Sequence, residues 1–398
     1  MLKEKLNIDG CLKCSYCNTV CPVLKVRPDY PGPKKLGSDI ERFRREGLSF
    51  GEDWVDYCLG CGQCSLVCPN QVGVSEYIAE AKARQKKSGI KKIRDYVFAR
   101  PALLGKMSTM TAPVSNSVFK MASALMPIGG ITSRRTFPSY ASKALRGSGV
   151  SKHETDERKQ ILLFPGCFIK YNDPGLGETA IKILERAGYL VEIAHTGCCG
   201  LPATADKKES LTDAKSNILA MEDSVTRGSR VVTLCTSCGY TLKSKYTKLF
   251  PDNDRLGKQA DMIASNTYDL GELMVELLEE GKLKLPMNTP PLKLAYHTPC
   301  HLKAQGIGRP WFKILKGIPG LEVVDLDAGC CGMSGTYGFR QEKYDISMRI
   351  GENLFNAINE NKPNQVVTEC ATCRMQIEHG TQYKALHPVE FFAKILRQ

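Results

Sequence analysis

The uncharged runs in the middle of this chain stop at thirteen residues, 107–119 and 121–133. A helix needs roughly 20 apolar residues to cross a bilayer core, so a span is excluded there. Nothing at the start reads as a secretory leader, which points to an intracellular setting. No Gly-x-Gly-x-x-Gly follows a strand-like run and no Walker loop occurs. The chain is therefore expected to hold no flavin or nucleotide of its own. Acidic residues nearly vanish between Lys82 and Lys152, where fifteen Lys and Arg accompany one acid, Asp95. That stretch accounts for the whole formal charge of +13, and the remainder is close to neutral. Its basic residues are neither interleaved with aromatics nor set in a known binding motif, so nucleic acid is not the expected partner. An anionic membrane surface or an acidic partner subunit fits better.

Cysteine is what the chain has in abundance: 18 in 398 residues. Such a count suggests disulfides in a short secreted chain, but in a long intracellular one it suggests metal ligation. Cys11-x2-Cys14-x2-Cys17-x3-Cys21-Pro22 is repeated as Cys58-x2-Cys61-x2-Cys64-x3-Cys68-Pro69. Each cubane iron takes one thiolate, and three thiolates at this spacing wrap one turn around three irons. The fourth, before proline, is directed to the other cluster. Cys11, Cys14, Cys17 and Cys68 are thus expected to hold one 4Fe-4S cubane, and Cys58, Cys61, Cys64 and Cys21 the other. Zinc sites use four ligands in two close pairs, which this doubled pattern does not match.

The remaining ten cysteines form a second duplication, Cys167, Cys198, Cys199, Cys235 and Cys238, then Cys300, Cys330, Cys331, Cys370 and Cys373. Corresponding positions lie 132 to 135 residues apart, and each adjacent pair precedes a glycine, Gly200 or Gly332. Five thiolates exceed what a cubane requires. Read from spacing alone, ordinary cubanes, zinc or redox-active thiols remain open. His195, His297 and His301 lie close to these cysteines in sequence and could tune a cluster or move protons.

Apolar periodicity sets the coarse architecture. Residues 1–80 show little strand pattern, with helical stretches at 40–45 and 74–86 around the cysteine loops, and 29–34 read as a turn-rich structural loop. Leu103, Met107, Met110, Val114, Val118, Met121 and Leu125 recur at helical spacing, an amphipathic stripe expected to kink at Pro113. Such a stripe either lies in a membrane interface or packs on a neighbouring domain or subunit. In the first reading Arg134, Arg135, Lys143 and Arg146 are among the residues meeting headgroups. Beyond it, short buried-type strands at 161–164, 189–194 and 230–234 alternate with a helix at 177–187, and strands at 292–296, 321–326 and 365–368 repeat the plan. Ligands then sit just past strand C-terminal ends. The fold class is α+β multidomain. A mainly helical two-cluster ferredoxin domain (1–90) and a basic amphipathic linker (91–158) precede two Rossmann-like α/β units (159–285 and 286–398).

The five-cysteine repeat resembles the CCG domain of heterodisulfide reductase catalytic subunits and several respiratory dehydrogenase subunits. That resemblance implies a noncubane 4Fe-4S cluster in each repeat. Cys11-Leu12-Lys13-Cys14, the Tyr30-Pro31-Gly32-Pro33-Lys34 loop, the basic linker and the paired repeats together resemble the C-subunit family of anaerobic glycerol-3-phosphate dehydrogenases, over essentially the whole chain. The resemblance implies electron transfer from flavoprotein dehydrogenase subunits to the quinone pool, with menaquinone as acceptor. It also implies peripheral attachment at the cytoplasmic face of the membrane. Disulfide-coupled reductases and the iron–sulfur subunits of glycolate and lactate oxidation share this layout and are the alternatives.

Overall fold

The structure is a computed structural model and describes residues 6–48, 51–85, 89–146, 159–203, 206–251, 253–287 and 289–396. Among the described residues up to 85 there is no strand. Short helices carry this part, the longer ones at Ile40–Arg45 and Val74–Arg84 where periodicity placed them. They close over a core of Ile8, Leu36, Val55, Tyr77 and Ile78. Tyr30 of the turn-rich loop is buried against the edge of Trp54, so that loop packs as structure.

From residue 160 the chain builds two sheets of four parallel strands. The first uses β1 (Gln160–Phe164), β2 (Leu190–Ile193), β3 (Arg230–Thr233) and β4 (Thr267–Asp269), in the order β2-β1-β3-β4. The second uses β5 (Leu292–Tyr296), β6 (Leu321–Asp325), β7 (Gln365–Val367) and β8 (Ala385–Leu386), in the order β6-β5-β7-β8. Parallel pairing demands crossover helices, and Pro174–Arg186 and Lys207–Thr226 supply them in the first sheet. In β1, Ile161, Leu162, Leu163 and Phe164 are all buried, the continuous apolar run of a strand covered on both faces. The edge strands β4 and β8 have no counterpart in the sequence reading. At three and two residues they are too short to show a period of two.

One apolar core runs through both repeats. Ile161, Leu163, Val232, Leu270 and Met274 of the first cluster with Leu294, Tyr296, Trp311, Val367 and Phe392 of the second. His387, buried at the start of helix Pro388–Ile395, clamps the two together. Its Nδ1 accepts from the Val389 N–H, so Nε2 carries the proton and donates to the Leu234 carbonyl at the end of β3. Burial pushes this imidazole down to about 3, with Arg374 adding to the effect. The unfolded chain takes up the proton near 6.5 and the folded chain only near 3. Stability is therefore complete above pH 6.5 and is lost as pH falls from there towards 3. Between pH 7 and pH 4 the loss from this one group is expected to be on the order of 3 kcal/mol. Melting of wild type against His387→Gln across that range checks it, the variant losing less on acidification.

The basic segment forms helices Gly89–Phe98, Pro101–Met110 and Ala112–Met121, then a 3-10 stretch, Ala122–Gly129. The break falls at Thr111 and not at Pro113, because Pro113 occupies the second position of the new helix, where a missing N–H costs nothing. Leu103, Met107, Met110, Val114 and Val118 are exposed as one stripe. The side chains of Met121 and Leu125 lie outside the described residues, as do positions 147–158 of the linker. Part of the positive charge is turned inward. Arg94 is buried between Asp95 and Glu342, and Arg100 pairs with Glu209. Arg135, expected to meet headgroups, is instead buried against the second repeat. Arg134 pairs with Asp345, which leaves Lys143 and Arg146 exposed.

Candidate iron–sulfur centres

The two ferredoxin loops bend alike. Lys13 and Ser15 adopt the left-handed conformation in the first, and Gly60 and Gly62 adopt it at the matching places in the second. Such residues turn three successive cysteines to one side of the backbone. The fourth cysteine of each motif has the other loop among its neighbours, Cys21 feeling Cys58 as well as Cys17 of its own motif. Burial pushes the Cys17 thiol up to about 11, and Cys11, Cys14 and Cys68 all add to that as neighbouring charges. Burial likewise raises Cys64, with Cys61, Cys58 and Cys21 among the charges beside it. Each set of three is thus brought together with the fourth cysteine of the other motif. Gly62 has no room for a side chain, since a Cβ would stand 2.6 Å from the Tyr240 hydroxyl and 3.3 Å from the Ala304 Cβ.

In each repeat the five thiols gather as a string of neighbours in the same order. Cys198 lies beside Cys167 and Cys199, and Cys238 beside Cys199 and Cys235. Cys330 lies beside Cys300 and Cys331, and Cys373 beside Cys331 and Cys370. The Cys373 and Cys331 sulfurs are 3.2 Å apart. The neighbouring Cys330 and Cys373 thiols hold Cys331 down to about 6, and Cys198 and Cys238 hold Cys199 well below the usual thiol range. The second cysteine of each adjacent pair, and in the second repeat Cys370 as well, is thereby favoured as a thiolate, the ligating form. The glycine that follows is dictated by space. At Gly332, φ is +84° and a Cβ would meet the Ser347 carbonyl at 2.2 Å.

The donors fit an iron–sulfur group. They are thiols in clusters, and beside Cys331 and Cys373 the ring of His297 is buried with Nε2 unpartnered, its donor atom and their two sulfurs all within 4.8 Å of one another. Burial keeps this imidazole neutral, down to about 4. His195 is exposed. His301 has a different task. Its Nε2 donates to the Gly60 carbonyl at 3.1 Å, so Nδ1 accepts from the Ser237 hydroxyl at 2.8 Å, and its face stacks on Tyr240. It therefore ties the second ferredoxin loop to both repeats. Gln63 supports the joint by donating to the Cys300 carbonyl at 2.9 Å. Cys61 is raised by burial and by Cys300, and Cys330 in turn feels Cys61. The second ferredoxin loop thus abuts the thiols of the second repeat. Sequence places His301 beside a ligand but not against Gly60, a contact spanning 241 positions.

Cysteines of the first repeat and Cys370 of the second line a cavity of about 460 Å3. Its other wall is apolar and comes largely from the basic segment: Phe98, Leu104, Phe119, Ile131 and Phe137.

Comparison with known proteins gives this geometry a family. The 4Fe-4S dicluster domain family matches residues 7–72, and the cysteine-rich domain family, CCG, matches 161–243 and 294–378. Over 98% of its length the chain is 35% identical to the C subunit of the anaerobic glycerol-3-phosphate dehydrogenase of Escherichia coli (strain K12), covering 99% of that protein. The chain belongs to this C-subunit family. More distant relatives align with most of the chain. The B subunit of the CoM/CoB fumarate reductase of Methanothermobacter marburgensis is 25% identical over 98% of this chain and 71% of its own. The glycolate oxidase iron-sulfur subunit of Escherichia coli (strain K12) is 24% identical over 100% and 84%. This C-subunit family member thus carries iron–sulfur cluster domains at both ends of its cysteine series. No helix among its described residues is long and apolar enough to cross a membrane.

Proposed function

We propose that this chain is the electron-transfer subunit of a membrane-associated anaerobic glycerol-3-phosphate dehydrogenase. It takes electrons from flavoprotein subunits and passes them to the quinone pool, with menaquinone as the acceptor. In this reading Cys11, Cys14, Cys17 and Cys68 hold one cubane, and Cys58, Cys61, Cys64 and Cys21 the second. Each five-cysteine string holds a noncubane cluster on a Rossmann-like unit. When bound, such clusters accept and release one electron at a time. The chain's own residues keep the carriers close, with Gln63 and His301 fixing the second ferredoxin loop against Cys300.

The observation that carries the quinone reading is the cavity, where thiols of both repeats face an apolar wall suited to a flat ring. The helices of that wall also present the exposed stripe from Leu103 to Val118, with Lys91, Lys92 and Lys106 exposed alongside. A stripe with flanking lysines suits the surface of an anionic bilayer, from which a lipid-soluble acceptor would enter. The domain limits 1–90, 91–158, 159–285 and 286–398 follow this division of labour. The test is rapid mixing of the chain with its flavoprotein subunits and menaquinone in anionic vesicles. Glycerol 3-phosphate is expected to bleach the clusters and the quinone to restore them. Bleaching by lactate, glycolate or a dithiol in place of glycerol 3-phosphate would reject the assignment in favour of an alternative.

A further inference from the structure

Arg135 carries a positive charge into the interior beside the second repeat, with no carboxylate among the described residues to meet it. Its side chain is 4% exposed, and its guanidinium carbon lies 5.8 Å from the Phe339 ring centre and 5.5 Å from that of Tyr344. Nε and Nη1 are buried without a hydrogen-bond partner, while Nη2 donates to Gln376 Oε1 at 2.6 Å. Among the described residues the other buried arginines are compensated: Arg94 meets Asp95 and Glu342, and Arg340 meets Asp56 and Asp95. An uncompensated buried cation is costly unless an anion close by balances it. Cys331 is the thiol near enough to interact with this charge.

A line of hydrogen bonds also leads from it to the Cys-Cys-Gly turn. Gln376 Nε2 donates to the Ser347 carbonyl at 3.1 Å, Ser347 Oγ donates to the Gly332 carbonyl at 2.8 Å, and the Gly332 N–H points to Cys330 Sγ at 3.4 Å. Gln376 and Ser347 are wholly buried, so water does not screen the line. The first repeat is built differently. There the Cys198 carbonyl takes a bond from Asn217 and the Cys199 carbonyl one from Tyr246, both neutral, and no buried Lys or Arg occurs among its described residues.

We propose that Arg135 is the counter-charge of the second-repeat cluster and makes that cluster easier to reduce than it would otherwise be. The inference rests on the reading that Cys300, Cys330, Cys331, Cys370 and Cys373 hold such a group. Reduction adds one electron to an assembly already rich in thiolate charge. A fixed cation nearby favours the reduced form over the oxidised one, and more so in a dry interior. Arg135 touches no reacting atom and is a positioning residue, acting through Gln376, Ser347 and Gly332 as well as through space. In the first repeat the nearest counterpart, Lys170, is only half-buried and donates to the Thr196 carbonyl at 3.1 Å, so the two repeats are made electrostatically unequal despite their matching cysteines.

The test is a redox titration, followed by electron paramagnetic resonance, of the full chain purified anaerobically. Arg135→Met is expected to lower the reduction constant of one cluster about tenfold, ~59 mV for a one-electron step, and to leave the others in place. Gln376→Glu keeps the guanidinium and its aromatic neighbours but sets a carboxylate in the 2.6 Å contact. It is expected to shift the same signal in the same direction, and it decides the matter should Arg135→Met lose iron. Arg134→Met, which removes the exposed neighbour paired with Asp345, is expected to move nothing. Potentials unchanged in Gln376→Glu at full iron content would overturn the role of Arg135, as would an equal shift of every cluster. Wild-type protein lacking any cluster on the second repeat would instead overturn the reading beneath it.

Discussion

Cys14→Ser is expected to remove about four of the roughly sixteen irons expected of four clusters, and to leave the α/β repeats folded with theirs. Cys14 suits this experiment because its side chain is exposed, whereas Cys64, Cys198, Cys331 and Cys373 are buried. Serine in its place makes no cavity and leaves the surrounding core of Ile8, Val23 and Tyr77 intact. The lost irons belong to the cluster assigned to Cys11, Cys17 and Cys68, so the second ferredoxin loop at the His301 joint keeps its contacts. Iron analysis with absorbance on anaerobic protein reads the outcome directly. A wild-type content near eight would leave no iron for the five-cysteine strings, and loss of every cluster in the variant would show that the centres do not form independently.

Trp311→Ala is expected to cost about 3–5 kcal/mol, the range for truncating a buried large aromatic, and to weaken both repeats together. Trp311 is fully buried and meets His387 and Phe392 edge-on in the second repeat. On its other side it packs so closely on helix Leu270–Glu279 of the first that a Cβ on Gly271 would lie 2.7 Å from it. Its indole N–H has no protein partner, so truncation loses packing and no hydrogen bond. The shared core predicts one transition in denaturant for the α/β part, moved to lower concentration as a whole. Two transitions, with only the second repeat displaced, would mean that the repeats fold apart. Trp311→Phe should recover much of the loss, since most of the ring area is kept.

The cysteine series was legible in the sequence because ligand chemistry is local. Three thiols at a spacing of two residues, or an adjacent pair before glycine, are dictated by how a short loop turns. Gly332 and the left-handed pair Gly60 and Gly62 carry that requirement in their own identities. Strands such as β1 and β5 announced themselves through apolar runs buried on both faces, whereas β4 and β8 had too few residues to do so. The strand-end placement of Cys167, Cys235, Cys300 and Cys370 followed from those runs.

Tertiary structure alone decided what those pieces meet. His301 reads as a histidine beside a ligand, and only folding sets it between Gly60 and Ser237. The basic segment reads as a charged amphipathic stripe that meets either a membrane or a neighbouring domain or subunit. Its charge is in fact divided, Arg94 and Arg135 being drawn inside while Lys91, Lys92 and Lys106 remain exposed. Composition counts charges but does not say which of them water still reaches. That depends on contacts such as Arg94 with Glu342 and Arg135 with Gln376, separated by more than 240 residues along the chain. Loop geometry and strand periodicity are properties of a few neighbouring residues and can be read from them. Burial, counter-charge and the joining of two repeats into one core arise from distant pairings, and those exist only once the chain has folded.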